Sequence, residues 1–208
     1  DAYANAKLAE AERSRQRRTL VPTGRLDGPR MRRGGRELIS FCCNDYLGLA
    51  QHPALRRAAA VAAEEHGVGS GASRLVTGNH PLYPELESRI ARLKGTEDAC
   101  VFGSGYLANV GLIPALVGDG DLVLTDSLSH ASTYAGVTLS RARAHPFAHN
   151  DTDDLRRALT EHRFAHRHCL LLTEGVFSMD GDRAPLERLA ALAAEFDAWL
   201  MVDDAHGL

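Results

Sequence analysis

From Pro53 onward, short apolar runs alternate with stretches of helical periodicity. The runs at 99–102 (ACVF), 121–125 (DLVLT), 143–147, 168–173 (HCLLLT) and 199–202 (WLMV) lack the in–out alternation of a half-exposed strand, and predict strands covered on both faces. Helices are predicted over 53–66, 82–94, 105–117, 131–140, 152–162 and 185–197. Their ends carry the expected punctuation: Pro53 and Pro185 in first turns, Asp151 and Thr152 as caps, Gly95 as a stop. Strand–helix alternation of this kind predicts an α/β fold with a mainly parallel sheet flanked by helices.

The first fifty residues read differently. Residues 2–18 are rich in Ala, Leu, Glu and Arg and end in a basic cluster, which predicts a helix with cations at its negative dipole end. Residues 22–36 are rich in Pro, Gly and Arg and predict a loop with a turn at Gly34-Gly35, ahead of the apolar run Leu38-Ile39-Ser40-Phe41. The expected organisation is a helical arm and connecting segment over 1–50 and a ligand-binding large domain over 51–208.

Composition narrows the function classes. The 208 residues are 44% apolar and 25% charged, with a formal net charge of −3, an ordinary globular balance. Such a balance gives no basic footprint for nucleic acid, and no stretch approaches the roughly 18 apolar residues of a membrane span. Cys42, Cys43, Cys100 and Cys169 form no C-x-x-C pair, which fits a reduced, cytoplasmic compartment and suggests no zinc site. The chain opens on Asp1-Ala2-Tyr3-Ala4, with neither an initiator Met nor the apolar core of a secretory signal, so a few leading residues are expected to be absent.

Ligands of parallel α/β sheets bind beyond the carboxyl ends of the strands, and four of the predicted strands deliver polar or glycine-rich elements there. These are Gly103-Ser104-Gly105-Tyr106, Asp126 with Ser129-His130, Glu174 with Ser178, and Asp203-Asp204-Ala205-His206. The glycine turn entering a helix suits a phosphate, or is an ordinary strand-to-helix turn. Its G-x-G-x-x-A spacing, with Asp126 at the end of the next strand, also fits a nicotinamide-dependent dehydrogenase. Asp203 either caps a local turn or pairs with a ligand cation such as a protonated pyridine nitrogen, with His206 reaching a second atom of that ring. No further clustered ligand supports a metal at this pair. His130 reads as a plain helix-start residue or as a flat ring stacked on a planar ligand. His145, His149, His162, His166 and His168 read as solvated or strand-edge residues. The glycine-rich loop 67–79 and Asn44-Asp45-Tyr46-Leu47-Gly48 serve either as flexible connection and Asx turn or as ligand-approaching backbone.

Taken together, several of these segments resemble the α-oxoamine synthases, pyridoxal-phosphate enzymes of the aspartate-aminotransferase fold. The segments are 44–49 (NDYLGL), 69–78 (GSGASRLVTG), 103–106 (GSGY), 127–132 (SLSHAS), 147–151 (FAHND), 173–182 (TEGVFSMDGD) and 202–207 (VDDAHG), in family order across 38–208. The resemblance implies a type I large domain in which Asp203 pairs with the pyridinium nitrogen, and His206 and Ser178 contact the cofactor hydroxyl. It further implies that His130 stacks on the ring and meets substrate, and that Gly105 and Tyr106 offer backbone N–H groups to the phosphate. Asn44 would approach the amino-acid carboxylate, and Arg15, in the cluster with Arg17 and Arg18, a distal substrate carboxylate.

FAHND and TEGVFSMDGDRAPL look more like the biotin-pathway members than the glycine-using aminoketobutyrate ligase and aminolevulinate synthase. That implies decarboxylative condensation of L-alanine with a pimeloyl thioester, carried by coenzyme A or a carrier protein, in a cytoplasmic homodimer. The family anchors its cofactor on a lysine downstream of D-D-A-H, whereas the lysines here are Lys7 and Lys94, neither in that context. The stretch is therefore expected to be the N-terminal half of such an enzyme, truncated before that lysine and the small domain, and inactive alone. The competing readings are a glycine-using relative, a nicotinamide dehydrogenase and a non-catalytic interaction module built on the arm and the glycine-rich loop.

Overall fold

The computed structural model describes residues 1–207 and divides into two compact units, Asp1–Gly71 and Ala72–Leu208. In the first unit, α1 (Ala2–Arg13) is shorter than the 2–18 expected, because Arg15 takes a left-handed conformation (φ 56°) that an α-helix cannot continue through. The loop expected over 22–36 is instead mostly sheet: β1 (Thr23–Arg25), β2 (Arg30–Arg33) and β3 (Arg36–Ile39) form an antiparallel meander. The Gly34-Gly35 turn is where it was expected. It joins the paired residues Arg33 and Arg36 with φ values of 57° and 75°, the two-residue hairpin turn that needs positive φ at both positions. Across β2 and β3, Met31 faces Leu38 while Glu37 binds both Arg30 and Arg32, so an arginine-rich composition concealed an alternating pattern. The unit continues into α2 (Pro53–His66), where Pro53 occupies the first turn and the His52 ring accepts the Ala54 N–H.

The second unit carries the parallel sheet. After a π-helical turn at Arg74–Gly78 come α3 (Leu82–Lys94), closed by left-handed Gly95, and α4 (Gly105–Leu116). Then follow β4 (Leu122–Asp126), α5 (Ala131–Ser140), β5 (Arg143–Phe147), α6 (Thr152–His162), β6 (Cys169–Glu174), α7 (Leu186–Glu195) and β7 (Trp199–Asp203). The strand order is β5-β4-β6-β7, all parallel. The strand expected at 99–102 does not join this sheet. Val101 instead gives its N–H to Glu87 and its carbonyl to Arg74, so side chains take the bonds a neighbouring strand would have taken.

The central strands are apolar throughout because they meet helices on both sides. Leu122, Leu124, Cys169 and Leu171 pack with Leu155 and Leu159 of α6 and Leu189 and Leu192 of α7. Val123, Leu170 and Leu172, one residue out of phase, pack with Ile113 of α4 and Val137 of α5. Each such leucine, fully withdrawn from water, contributes about 1.5–3 kcal/mol. This two-sided core fixes the carboxyl ends of the strands in one row. No helix among the described residues is long and apolar enough to cross a membrane.

Candidate functional site

The polar carboxyl ends of three strands, β4, β6 and β7, meet the start of α4 at one edge of the parallel sheet. Asp203 ends β7 opposite Glu174, the last residue of β6. Together with Gly105, Tyr106, His130, Ser132, Ser178, Ala205 and His206, these carboxylates line a cavity of about 100 Å³. Six of the eight expected site residues, Gly105, Tyr106, His130, Ser178, Asp203 and His206, therefore converge from four separate segments. Arg15 and Asn44 belong to the first unit, where both are exposed. A larger open depression of about 630 Å³ over Arg183–Arg188 gathers none of the eight.

One wall is the start of α4. Ser104 caps the helix by accepting the Leu107 N–H at 3.1 Å, and the Gly105 and Tyr106 N–H groups have no backbone acceptor among the described residues. Nothing lies within 4 Å of where a Gly105 β-carbon would stand, so this helix end is open to an anion. The opposite wall is Asp203, whose Oδ1 accepts the Ala205 N–H (3.1 Å) and whose Oδ2 accepts from Asn109 Nδ2 (2.9 Å). The carboxylate thus caps its own turn and faces the cavity as well. At the start of α5, the His130 ring accepts the Ser132 N–H at Nδ1 (3.2 Å).

Glu174 ties the walls together. It accepts the backbone N–H of His130 at 2.5 Å and that of Ser178. Burial raises its pKa, the His130 bond works the other way, and the Asp203 charge raises it further. The loop after β6 passes so close to the end of β7 that a β-carbon at Gly175 would displace the Asp204 carboxylate. Asp204 itself is bound by Lys94 at 3.0 Å. No lysine lines the cavity among the described residues.

His149 departs from the surface role expected of it. Its ring is held between two carboxylates, Nδ1 at 2.9 Å from Asp126 and Nε2 at 2.8 Å from Asp182, with Phe177 edge-on. Burial opposes the imidazolium, but the bonds to Asp126 and Asp182 outweigh it and raise the His149 pKa. Asp126 is fully buried and also accepts the Leu128 and Asn150 N–H groups. A dehydrogenase would need that carboxylate for a ribose; here it is spent inside the protein. Asn109, Ser132 and the His149 bridge were not singled out from sequence, and Glu174 was read there only as a polar residue at a strand end, with no role given to it. Asn109 had left a signal, as the lone amide in the apolar helix GYLANVGLIPAL.

The donor set suits a flat cationic heteroaromatic ring with an anionic tail: a carboxylate for a ring N–H, hydroxyl and imidazole groups for ring oxygens, and free amides for the anion. The family model for aminotransferase class I and II matches residues 36–208. The 8-amino-7-oxononanoate synthase of Methylobacterium nodulans is 59% identical over 208 residues, which are all of this chain and 55% of that protein. A putative 8-amino-7-oxononanoate synthase of Parvibaculum lavamentivorans is 58% identical over all of this chain and 54% of its own length. Among solved structures, a Sphingomonas wittichii serine palmitoyltransferase aligns with a TM-score of 0.88 at 32% identity, over 100% of this chain and 52% of that one. A structure described as SPT with PLP aligns with a TM-score of 0.88 at 30% identity, over 98% and 53%. The chain thus spans about half the length of the relatives it matches.

Proposed function

This chain belongs to the aminotransferase class I and II family, and from that premise we propose that it forms the cofactor-binding part of an α-oxoamine synthase of the 8-amino-7-oxononanoate synthase type. Its cofactor is pyridoxal 5'-phosphate. The full-length enzyme would condense L-alanine with a pimeloyl thioester and release CO₂. The reading is supported by identities of 58–59% over the whole of this chain with two proteins that carry that name, one of them as putative. The observation that carries it is the meeting of Asp203, His206, Ser178 and His130 with the open amides of Gly105 and Tyr106 in one cavity.

When bound, pyridoxal phosphate supplies an electron sink for a carbanion at the amino-acid α-carbon. The chain's residues hold and tune it. Asp203 receives the ring N–H, and its anionic charge favours the protonated ring. The Gly105 and Tyr106 amides and the dipole of α4 take the phosphate. Ser178 and His206 bond the ring hydroxyl oxygen, and the His130 imidazole covers one face and meets substrate. In the first unit, Asn44 is assigned to the alanine carboxylate and Arg15 to the distal carboxylate of the pimeloyl chain, a pairing suited to a guanidinium. The covalent anchor of the cofactor is assigned to neither Lys7 nor Lys94. A homodimer is proposed for the full-length protein.

The test is product formation by the full-length enzyme with pyridoxal phosphate, L-alanine and pimeloyl-CoA, in competition with glycine and L-serine. Alanine is expected to dominate. Asp203→Asn replaces a charge-assisted hydrogen bond worth about 1.5–3 kcal/mol, so turnover should fall roughly 10- to 100-fold. Preference for glycine or serine, or unchanged turnover in Asp203→Asn, would overturn the reading.

A further inference from the structure

Asp203 and His130 stand on different elements, at the end of β7 and the start of α5, yet a continuous chain of hydrogen bonds joins them through two buried side chains. Asn109, on α4 and 5% exposed, donates from Nδ2 to Asp203 Oδ2 at 2.9 Å and from the same nitrogen to Ser132 Oγ at 2.9 Å. Ser132, 1% exposed, lies 2.7 Å from His130 Nδ1 through its hydroxyl, and its backbone N–H also points at Nδ1 (3.2 Å).

We propose that Asn109 is a positioning residue that, acting through Ser132, couples the Asp203 carboxylate to the His130 imidazole and sets the tautomer of that ring. The direction of each bond follows from donor and acceptor inventory. A carboxylate only accepts, so the Asn109 amide must turn its NH₂ toward Asp203. Both protons of that NH₂ are then committed, one to Asp203 Oδ2 and one to Ser132 Oγ. The Ser132 backbone N–H can only donate, which makes Nδ1 an acceptor, so the Ser132 hydroxyl, accepting from Asn109, directs its own proton to that nitrogen. The neutral ring therefore carries its proton on Nε2. Buried networks in which every proton is assigned hold one geometry, since any reversal leaves a buried group unpaired.

The proposal rests on the cofactor reading for its consequence: the carboxylate that would bond the cofactor nitrogen and the imidazole that would lie against its ring are held as one unit. The bonds themselves belong to this chain, so they can be read without cofactor. In full-length protein labelled with ¹⁵N-histidine and free of pyridoxal phosphate, long-range ¹H–¹⁵N spectra report the tautomer, with His130 identified by its loss in His130→Asn. Above the pH at which the ring titrates, wild type should show Nε2 protonated and Nδ1 bare. Asn109→Ala and Ser132→Ala should each turn this single tautomer into a mixture, and Ser132→Thr, which keeps the hydroxyl, should restore it.

With cofactor, Asn109→Ala should lower kcat roughly 10- to 100-fold through misplacement of the reacting groups, with the KM for alanine within about twofold. A wild-type ring protonated on Nδ1, or nitrogen shifts unchanged in both Asn109→Ala and Ser132→Ala, would overturn the proposal. Should Asn109→Ala fail to fold, Ser132→Ala against Ser132→Thr decides alone. The expected tautomers in a protein that does not bind pyridoxal phosphate would uphold the coupling while removing the cofactor reading.

Discussion

Gly136 of α5 lies so close to Asn109 of α4 that a β-carbon at position 136 would stand 2.6 Å from the Asn109 carbonyl oxygen and 2.8 Å from Ile113 Cδ1. The missing side chain is what lets the two helices approach. That approach brings the Asn109 amide onto Ser132, and so links helix packing to the geometry of the cavity.

Gly136→Ala should therefore do more than destabilise. Overpacking at such a contact costs about 1–3 kcal/mol, which a thermal melt will register. Spreading α5 from α4 should also weaken pyridoxal phosphate binding, measured by titration of the full-length enzyme. A variant with lowered melting temperature and unaltered cofactor affinity would show that the helix contact does not reach the site.

The His149 bridge predicts a stability that declines on the alkaline side. Its two N–H groups face Asp126 and Asp182, and these bonds raise its pKa in the folded state. The contribution is fully present below the unfolded value of about 6.5 and is lost as pH rises through the higher folded value. Because Asp182 lies on the loop that carries Ser178, that loop should loosen over the same interval. Urea unfolding from pH 6 to pH 9 should show a decline that His149→Gln flattens; parallel curves would dismiss the bridge as a source of stability.

Much of this molecule was legible in its sequence where one physical signal governed the outcome. Two-sided burial made β4 and β6 continuous apolar runs, and α2, α3, α5 and α6 span the residues expected of them, with Pro53 opening α2, Gly95 closing α3 and Asp151 capping α6. The convergence of His130, Ser178, Asp203 and His206 followed from strand ends sharing one edge, and Gly105 and Tyr106 join them from the start of α4 although no strand of the sheet precedes it. Tertiary partners decided the rest. The arginines of β2 hid a strand because their partner Glu37 lies across a hairpin, and 99–102 lost its strand to the side chains of Arg74 and Glu87. Asn109 and His149 draw their roles from residues 23 to 94 positions away, and Ser132 joins its neighbour His130 to Asn109 23 positions back, which spacing along a chain does not encode.

Arg74 gives a prediction about the glycine-rich loop. Its guanidinium binds both oxygens of Glu87 (2.6 and 3.0 Å) and Asn79 Oδ1 (2.9 Å), and lies over the Tyr83 ring. An ammonium cannot reproduce this planar fork, so Arg74→Lys should not behave conservatively. Faster amide exchange confined to 74–79 and 101 is expected, read by hydrogen-exchange mass spectrometry. Unchanged exchange there would mean that the loop is held by its backbone alone.

Glu174 separates the work of an acceptor from that of a charge. The carboxyl is 4% exposed, and burial together with Asp203 opposite it raises its pKa despite the His130 N–H it accepts. A carboxyl raised in this way favours the folded state most at low pH, and that advantage is lost as pH rises from the unfolded value toward the folded one. Gln at this position keeps an oxygen for the His130 N–H and never ionises. Glu174→Gln should then gain stability relative to wild type between pH 4 and pH 7.5, with the gain growing as pH rises. Glu174→Ala leaves that N–H without its acceptor and should lose about 1–3 kcal/mol. Urea unfolding of the three proteins at both pH values distinguishes the cases. A Gln variant that weakens against wild type toward neutral pH would mean that the ionised carboxylate stabilises the fold, and that the Asp203 repulsion is outweighed by its hydrogen bonds.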